Sequence, residues 1–257
     1  MSNIRIYPYK MGSQSAKALA GALDARCVYA DRNYRGNPNH VMINWGNTQF
    51  PEQWGHNVGL LINRPQAVNR ACNKARCTMR LAITSIPVVP FSNDKEVAER
   101  WIEQGIPVIV RHVMTGHSGN GIELVESGEL PDARMYTQYL GSRREYRLHV
   151  VGDSVVYTQQ KKRRDGAREL PNYSEVIRNH GTGWVYCADD ITPLPDEAED
   201  IAVRAVAALH LQFGAVDIIT RQGRVYVLEV NTAPGLEGRS IEIYRDALLQ
   251  LIDSYND

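Results

Sequence analysis

The stretch that decides the fold runs Ala215-Val216-Asp217-Ile218-Ile219-Thr220-Arg221-Gln222-Gly223-Arg224-Val225-Tyr226-Val227-Leu228-Glu229-Val230-Asn231. Two segments rich in Val, Ile and Tyr, Phe213 to Thr220 and Arg224 to Asn231, flank Arg221-Gln222-Gly223, the pattern of a β-hairpin. If Gly223 takes the positive φ that closes a three-residue loop, Thr220 faces Arg224 and Asp217 faces Val227. Side chains alternate with period two along a strand, so Asp217, Glu229 and Asn231 then share one face, with Glu229 diagonal to Asp217. A two-residue loop would put Asp217 on the face opposite Glu229. Two carboxylates and an amide oxygen form a hard donor set that suits magnesium, with manganese the alternative, and leave positions for water or phosphate. The same residue types are also common on an ordinary solvated hairpin edge.

Working outward, the segment Asp196 to Leu211 carries acidic residues at its start and Ile201, Ala205, Ala208 and Leu209 along one side, which predicts a helix entering the hairpin. A last helix is expected from about Ser240 to Ser254. Upstream, Met135 to Leu140, Glu145 to Val151 and Ser154 to Lys162 read as strands, with Gly152-Asp153 a tight turn. Pro107 to Val113 and Ile122 to Val125 are strands joined by Thr115 to Gly121. Asn93 with Glu96 three residues on has capping-box spacing for a helix carrying Val97, Ala98, Trp101 and Ile102. Asn63 and Pro65 suit the start of one helix burying Ala67, Val68, Ala71, Ala75, Met79 and Ala82. The first sixty residues alternate strand-like and helix-like pieces, a small α/β unit, with a Gly, Asn and Trp-rich loop from Asn44 to Asn57.

Composition bounds the partners. The 257 residues are 43% hydrophobic and 23% charged, with Lys plus Arg and Asp plus Glu at 29 each, so no global field draws in nucleic acid or membrane. The start of the chain lacks a signal peptide's apolar core, and no apolar run approaches the roughly 20 residues that span a bilayer, so a cytoplasmic protein is expected. The four cysteines form no C-x-x-C pair and the seven histidines no H-x-x-x-H pair, which argues against zinc or a disulfide framework.

Chemistry concentrates in a few places. Gly116-His117-Ser118-Gly119-Asn120-Gly121 lies between strands, not between a strand and a helix, so it is neither a dinucleotide fingerprint nor a Walker loop. Its glycines let backbone N–H groups approach phosphate oxygens, and Ser118 adds a hydroxyl donor. Lys74 on a helix and Arg111 at the end of Val108-Ile109-Val110-Arg111 are cations whose settings call for a counter-ion, either a triphosphate or an internal carboxylate. Lys161-Lys162-Arg163-Arg164 is the most basic run. Its alternate residues face opposite ways, so each is either part of a solvated edge or part of an anion grip for phosphate or an acidic substrate. A nucleic-acid contact is left open, although no interleaved aromatic platform accompanies the run.

The order of these pieces, ending in Leu228-Glu229-Val230-Asn231-Thr232-Ala233-Pro234-Gly235 after Ala215-Val216-Asp217, resembles the ATP-grasp superfamily, and within it RimK-type glutamate ligases, from roughly Ile62 to Gly238. The resemblance implies an α/β (α+β) ATP-grasp fold. Residues 1–85 would be a short Rossmann-like pre-ATP-grasp domain, 86–140 a central lid subdomain with the glycine loop, and 141–257 a C-terminal antiparallel-sheet subdomain with the metal site. It implies that Lys74 and Arg111 hold the nucleotide phosphates, that Gly116, Ser118, Gly119 and Gly121 close over the β and γ phosphates, and that Gln138, Tyr139 and Leu140 form the hinge reading adenine. Glu145 would bind the ribose, Asp217, Glu229 and Asn231 the magnesium ions of ATP, and Arg147 and Lys161 an acyl phosphate. Asn179 would sit nearby, and His180 is a candidate base for the amine or an ordinary loop histidine. The family pattern usually has Lys at Arg111 and an acid at Thr137 or Gln138, and a longer N-terminal domain.

The implied activity is an ATP-dependent carboxylate–amine ligase acting on an amino acid or peptide through an acyl phosphate. A small-molecule kinase and a non-catalytic nucleotide-binding regulator are the alternatives. The acceptor walls are expected from Asn44 to Asn57 and Lys161 to His180. Self-association is left open.

Overall fold

A computed structural model describes residues 3–54, 57–115, 121–141 and 143–255. Three sheets follow one another along the chain. The first is parallel, ordered β2-β1-β3-β4, from β1 (Ile4–Pro8), β2 (Arg26–Cys27), β3 (Asn37–Trp45) and β4 (Val58–Ile62). Its helix α1 (Gln14–Ala22) starts at Ser13, whose hydroxyl accepts from the Ala16 N–H. The second is antiparallel, ordered β5-β8-β6-β7, from β5 (Phe91–Ser92), β6 (Val108–Arg111), β7 (Ile122–Val125) and β8 (Met135–Gln138), backed by α4 (Lys95–Glu103).

The third sheet positions the site. Its five antiparallel strands are ordered β11-β10-β9-β12-β13, from β9 (Arg144–Val151), β10 (Ser154–Arg163), β11 (Trp184–Cys187), β12 (Phe213–Arg221) and β13 (Arg224–Asn231). Period two divides each strand's residues between two environments. Tyr146, Leu148, Val150, Val216, Ile218, Val225, Val227 and Val230 enter a core with α2 (Pro65–Cys72), α3 (Lys74–Ile83) and α5 (Ala198–Ala208). The intervening residues line a cleft on the other face. One end of that second face is closed where Val151 and Phe213 pack with Tyr244 and Leu248 of α6 (Arg239–Asp253) and with the first sheet.

Several expectations change. The hairpin loop has two residues, since Arg221 pairs with Arg224, and Gln222 and Gly223 take φ of 51° and 78° as a primed turn requires. That register alone would place Leu228 opposite Asp217. A bulge between the Ile218–Val227 and Asp217–Glu229 pairs inserts one residue, so Glu229 stands directly opposite Asp217. The shared face is as expected, but its cause is a bulge and not an odd loop.

The single helix after Asn63 is two helices, because Asn73 is extended (φ −91°, ψ 111°) and its side chain caps α3 through the Arg76 N–H. The break rotates the buried stripe onto Cys77, Thr78 and Leu81, leaving Met79 exposed. Asn63 does not cap α2. It is buried with φ 60°, and its carboxamide receives the N–H groups of Gln212 and Phe213 and donates to the Phe213 carbonyl. Asp94, not Asn93, caps α4 through the Glu96 N–H.

Candidate active site

The paired register of the third sheet lays the cleft out in rows. Gln159 pairs with Arg147, Arg147 with Asp217, and Asp217 with Glu229, a row across β10, β9, β12 and β13. One step toward α6, Tyr157, His149, Ala215 and Asn231 form the next row. On the other side, Tyr186, Lys161, Glu145 and Ile219 form a third. Cross-strand partners share a face, so the strand pairings put these functional groups together.

Arg147 grips Asp217 with two hydrogen bonds, Nε to Oδ1 at 2.7 Å and a terminal nitrogen to Oδ2 at 2.8 Å. Burial alone would raise the Asp217 pKa, but the Arg147 charge and hydrogen bonds, with help from Lys161, hold it below the ordinary carboxylate value. Asn231 Nδ2 donates to Asp217 Oδ2 at 3.2 Å, and Lys74 at the start of α3 reaches Glu229 Oε2 at 2.5 Å. Glu145, 4% exposed, is surrounded by Arg143 (2.9 Å), Lys161 (3.0 Å) and Arg178 (3.5 Å). Tyr186 offers its ring to Arg147 and Lys161 at 4.2 and 4.9 Å, and Trp184 underlies Arg178 at 4.3 Å.

The cleft measures about 670 Å³. Its described lining carries six cations (Lys74, Arg111, Arg143, Arg147, Lys161, Arg178) and four carboxylates (Glu145, Asp217, Glu229, Glu237), a surplus of two positive charges. Arg111 is central to that surplus. It forms no salt bridge among the described residues, and desolvation holds its pKa below the guanidinium norm, with the Glu229 charge offsetting part of the drop. A desolvated cation with no salt bridge among the described residues calls for an anion from outside.

Of the residues singled out by sequence, the cleft gathers Lys74, Arg111, Gln138, Tyr139, Leu140, Glu145, Arg147, Lys161, Asn179, His180, Asp217, Glu229 and Asn231. Gly116, Ser118 and Gly119 lie outside the described residues, and Gly121, at φ 69°, immediately precedes β7 and does not line the cleft. The hinge N–H groups of Gln138 and Tyr139 bond to the carbonyls of Pro90 and Pro107. Asn179 caps a short turn, its side chain accepting from the Thr182 N–H while Thr182 Oγ1 accepts from its own. None of the described residues between 44 and 57 lines the cleft, which corrects the expected acceptor wall: Trp45, Trp54 and Asn44 are fully buried, and the Trp54 indole N–H donates to the Tyr34 carbonyl. Of the other expected wall, from Lys161 to His180, Lys161 and residues 176–180 line the cleft.

Sequence reasoning missed Gln159, Arg143 and Tyr186. Gln159 was within reach, being two residues from Lys161 on one strand and therefore on its face. Tyr186 was not, since its place depends on β11 returning from residue 163 to pair beside β10.

Residues 71–255 match the model of the RimK-like ATP-grasp domain. The chain belongs to the RimK-like ATP-grasp family. Curated relatives include a probable alpha-L-glutamate ligase of Picosynechococcus, 28% identical over 70% of this chain and 62% of its own length. Another, probable alpha-L-glutamate ligase 2 of Hahella chejuensis, is 27% identical over 75% of this chain and 65% of its own length. The chain thus spans less than two thirds of the length of these relatives. The ATP-grasp fold is shared with the ligase PsnB solved with a minimal precursor (TM-score 0.71, 16% identity, 98% of this chain and 99% of that one). It is shared also with D-alanine–D-alanine ligase of Bacillus anthracis (TM-score 0.67, 11% identity, 98% and 99% covered). Among the described residues no helix is long and apolar enough to cross a membrane.

Proposed function

We propose that this ATP-grasp protein is an ATP-dependent carboxylate–amine ligase, which phosphorylates a substrate carboxylate and passes the acyl group to an amine on an amino acid or peptide. The observation that carries the reading is Arg111, a desolvated cation with no salt bridge among the described residues, in the cleft that also holds the Asp217–Glu229 pair. Such a cleft is built for a polyanion that arrives with its own cations. The names of the curated relatives and the ligases sharing the fold support the same reading.

The donor set fits a hard divalent ion. Asp217 and Glu229 face each other across one ladder rung and Asn231 bonds to Asp217, so three oxygen-bearing side chains converge without sulfur or imidazole. Magnesium held there would offset negative charge on the phosphates during transfer. Lys74 and Arg147, which neutralise the two carboxylates in the ligand-free arrangement, are then free to turn to phosphate oxygens. Arg111 takes a phosphate oxygen from the second sheet. Arg147, set on the aromatic face of Tyr186, stabilises the charge of the acyl phosphate while the amine attacks its carbonyl carbon and phosphate leaves. Val89, Ile109, Leu140 and Ile219 supply the apolar end for adenine. The residues contribute placement and charge, and no enzyme-bound covalent intermediate is needed.

The test supplies ATP, magnesium and pools of amino acids and short peptides to the full chain, and follows ADP, phosphate and product mass. A condensed product with ADP and phosphate is expected. A stable phosphorylated product would make the protein a kinase, and tight nucleotide binding without turnover on any pool would make it a regulator.

A further inference from the structure

The row nearest α6 contains a polar group that the proposed reaction does not use. His149 is 0% exposed, its ring against those of Tyr244 and Tyr157, where a charged or unbonded imidazole would be costly. Both ring nitrogens are occupied: Nδ1 lies 2.9 Å from the Tyr244 hydroxyl and Nε2 lies 3.1 Å from Gln159 Oε1. Burial pushes the His149 pKa down to about 4, so the ring is neutral near pH 7 and carries one N–H. With Gln159 presenting its oxygen, that N–H is on Nε2, and Nδ1 accepts the Tyr244 proton. The chain of donors runs in one direction, Tyr244 to His149 to Gln159.

This leaves the Gln159 amide nitrogen. It makes no hydrogen bond among the described residues, and it is not among their buried unsatisfied atoms, where the Trp45 indole N–H alone appears. Gln159 lines the cleft directly beside Arg147, whose guanidinium is engaged with Asp217. Ala233, Gly235 and Ser240 line the same cleft. A primary amide with its oxygen anchored from behind and its N–H groups turned to a cleft recognises an oxygen acceptor in one orientation.

Building on the ligase reading, we propose that Gln159 is a specificity-determining residue that donates to a carboxylate or carbonyl oxygen of the acyl substrate, and that His149 and Tyr244 are positioning residues that fix its amide. Leaving a donor unpaired in such a site penalises a substrate lacking the matching oxygen, which is how a hydrogen-bonding pocket discriminates strongly.

Two measurements test this on the full chain. In the first, ADP release is followed with magnesium, ATP and amino-acid and peptide carboxylates including L-glutamate. Binding of ADP with magnesium is measured alongside by calorimetry. Gln159→Leu is expected to raise the KM of the turned-over carboxylate about tenfold or more while ADP affinity stays within about twofold, and Tyr244→Phe to raise it by a smaller factor. An unchanged KM in Gln159→Leu overturns the role of Gln159 and leaves the ligase reading standing. No turnover by the unmodified protein on any carboxylate, with ADP still bound, overturns the ligase reading and this proposal with it. In the second, nitrogen-15 spectra of the ligand-free protein report the His149 tautomer. A proton on Nε2 is expected. A proton on Nδ1 would mean that the Gln159 amide is spent on the imidazole, and would overturn the proposal whatever the kinetics show.

Discussion

At the residue scale, the site is a set of charges held in check by one another. Asp217 is fixed by Arg147 and Glu229 by Lys74, so under the proposed ligase reading each carboxylate would exchange a cation for a metal while the cation turned to phosphate. Glu229→Gln should abolish more than about 99% of turnover while leaving the unfolding midpoint nearly unchanged, since Glu229 is only partly buried; full activity would remove it from the site. Asp217→Asn is different, because it strands Arg147 and should cost about 3 kcal/mol at pH 7 in chemical denaturation. The sign of its pH dependence follows from the depressed folded-state pKa. The stabilisation is complete above the ordinary carboxylate value and is lost as pH falls through the lower folded value, so the two proteins should converge in acid. His149 acts in a higher window. Its folded pKa of about 4 lies below the ordinary histidine value of 6.5, so its contribution is complete above pH 6.5 and lost as pH falls toward 4. The groups around it are Tyr244, Tyr157, Gln159, Arg147 and Asp217, and only Asp217 and Gln159 favour the proton. Urea titrations between pH 7 and 4.5 should therefore show a loss that is smaller in His149→Gln.

At the element scale, the ribbon of β12 and β13 shows what was legible in advance. That Asp217, Glu229 and Asn231 share one face is expected on the premise of a three-residue loop, and they do share it. The way the chain brings this about was not legible. Gln222 is a non-glycine residue in the left-handed region, which a composition rule assigns to a longer loop, and a bulge leaves no mark in a run of Val, Leu and Glu. Likewise Asn73 divides α2 from α3 by capping through a side chain that is equally at home inside a polar helix face. Gly223→Ala should cost about 1 kcal/mol, from φ 78°, and leave nucleotide affinity unchanged, as thermal melts and calorimetry would show; lost affinity would mean the turn itself shapes the site.

At the scale of the whole molecule, the long-range joints were the least readable. Asn63 looked like a helix cap, but ties the end of β4 to the start of β12 through both atoms of its carboxamide, with Gln212 Oε1 returning a bond to its N–H at 2.7 Å. Residues separated by about 150 positions carry no local trace of such a contact. Asn63→Ala removes these partners from buried backbone groups and should destabilise the chain by about 3 kcal/mol in denaturant titration. The Trp-rich loop misled for the same reason: Trp45 stacks on Phe213 at 5.3 Å, so a segment that reads as a binding surface is the mortar between the first sheet and the third.

The alternation in β9 and β12 has a further consequence. Tyr146, Leu148, Val150, Val216 and Ile218 serve the packing, while Glu145, Arg147 and Asp217, their immediate neighbours in the chain, line the cleft. Selection can therefore rewrite every second letter of these segments to admit a new guest without touching the letters that keep the scaffold upright. A lineage built this way can diversify its chemistry at little structural risk.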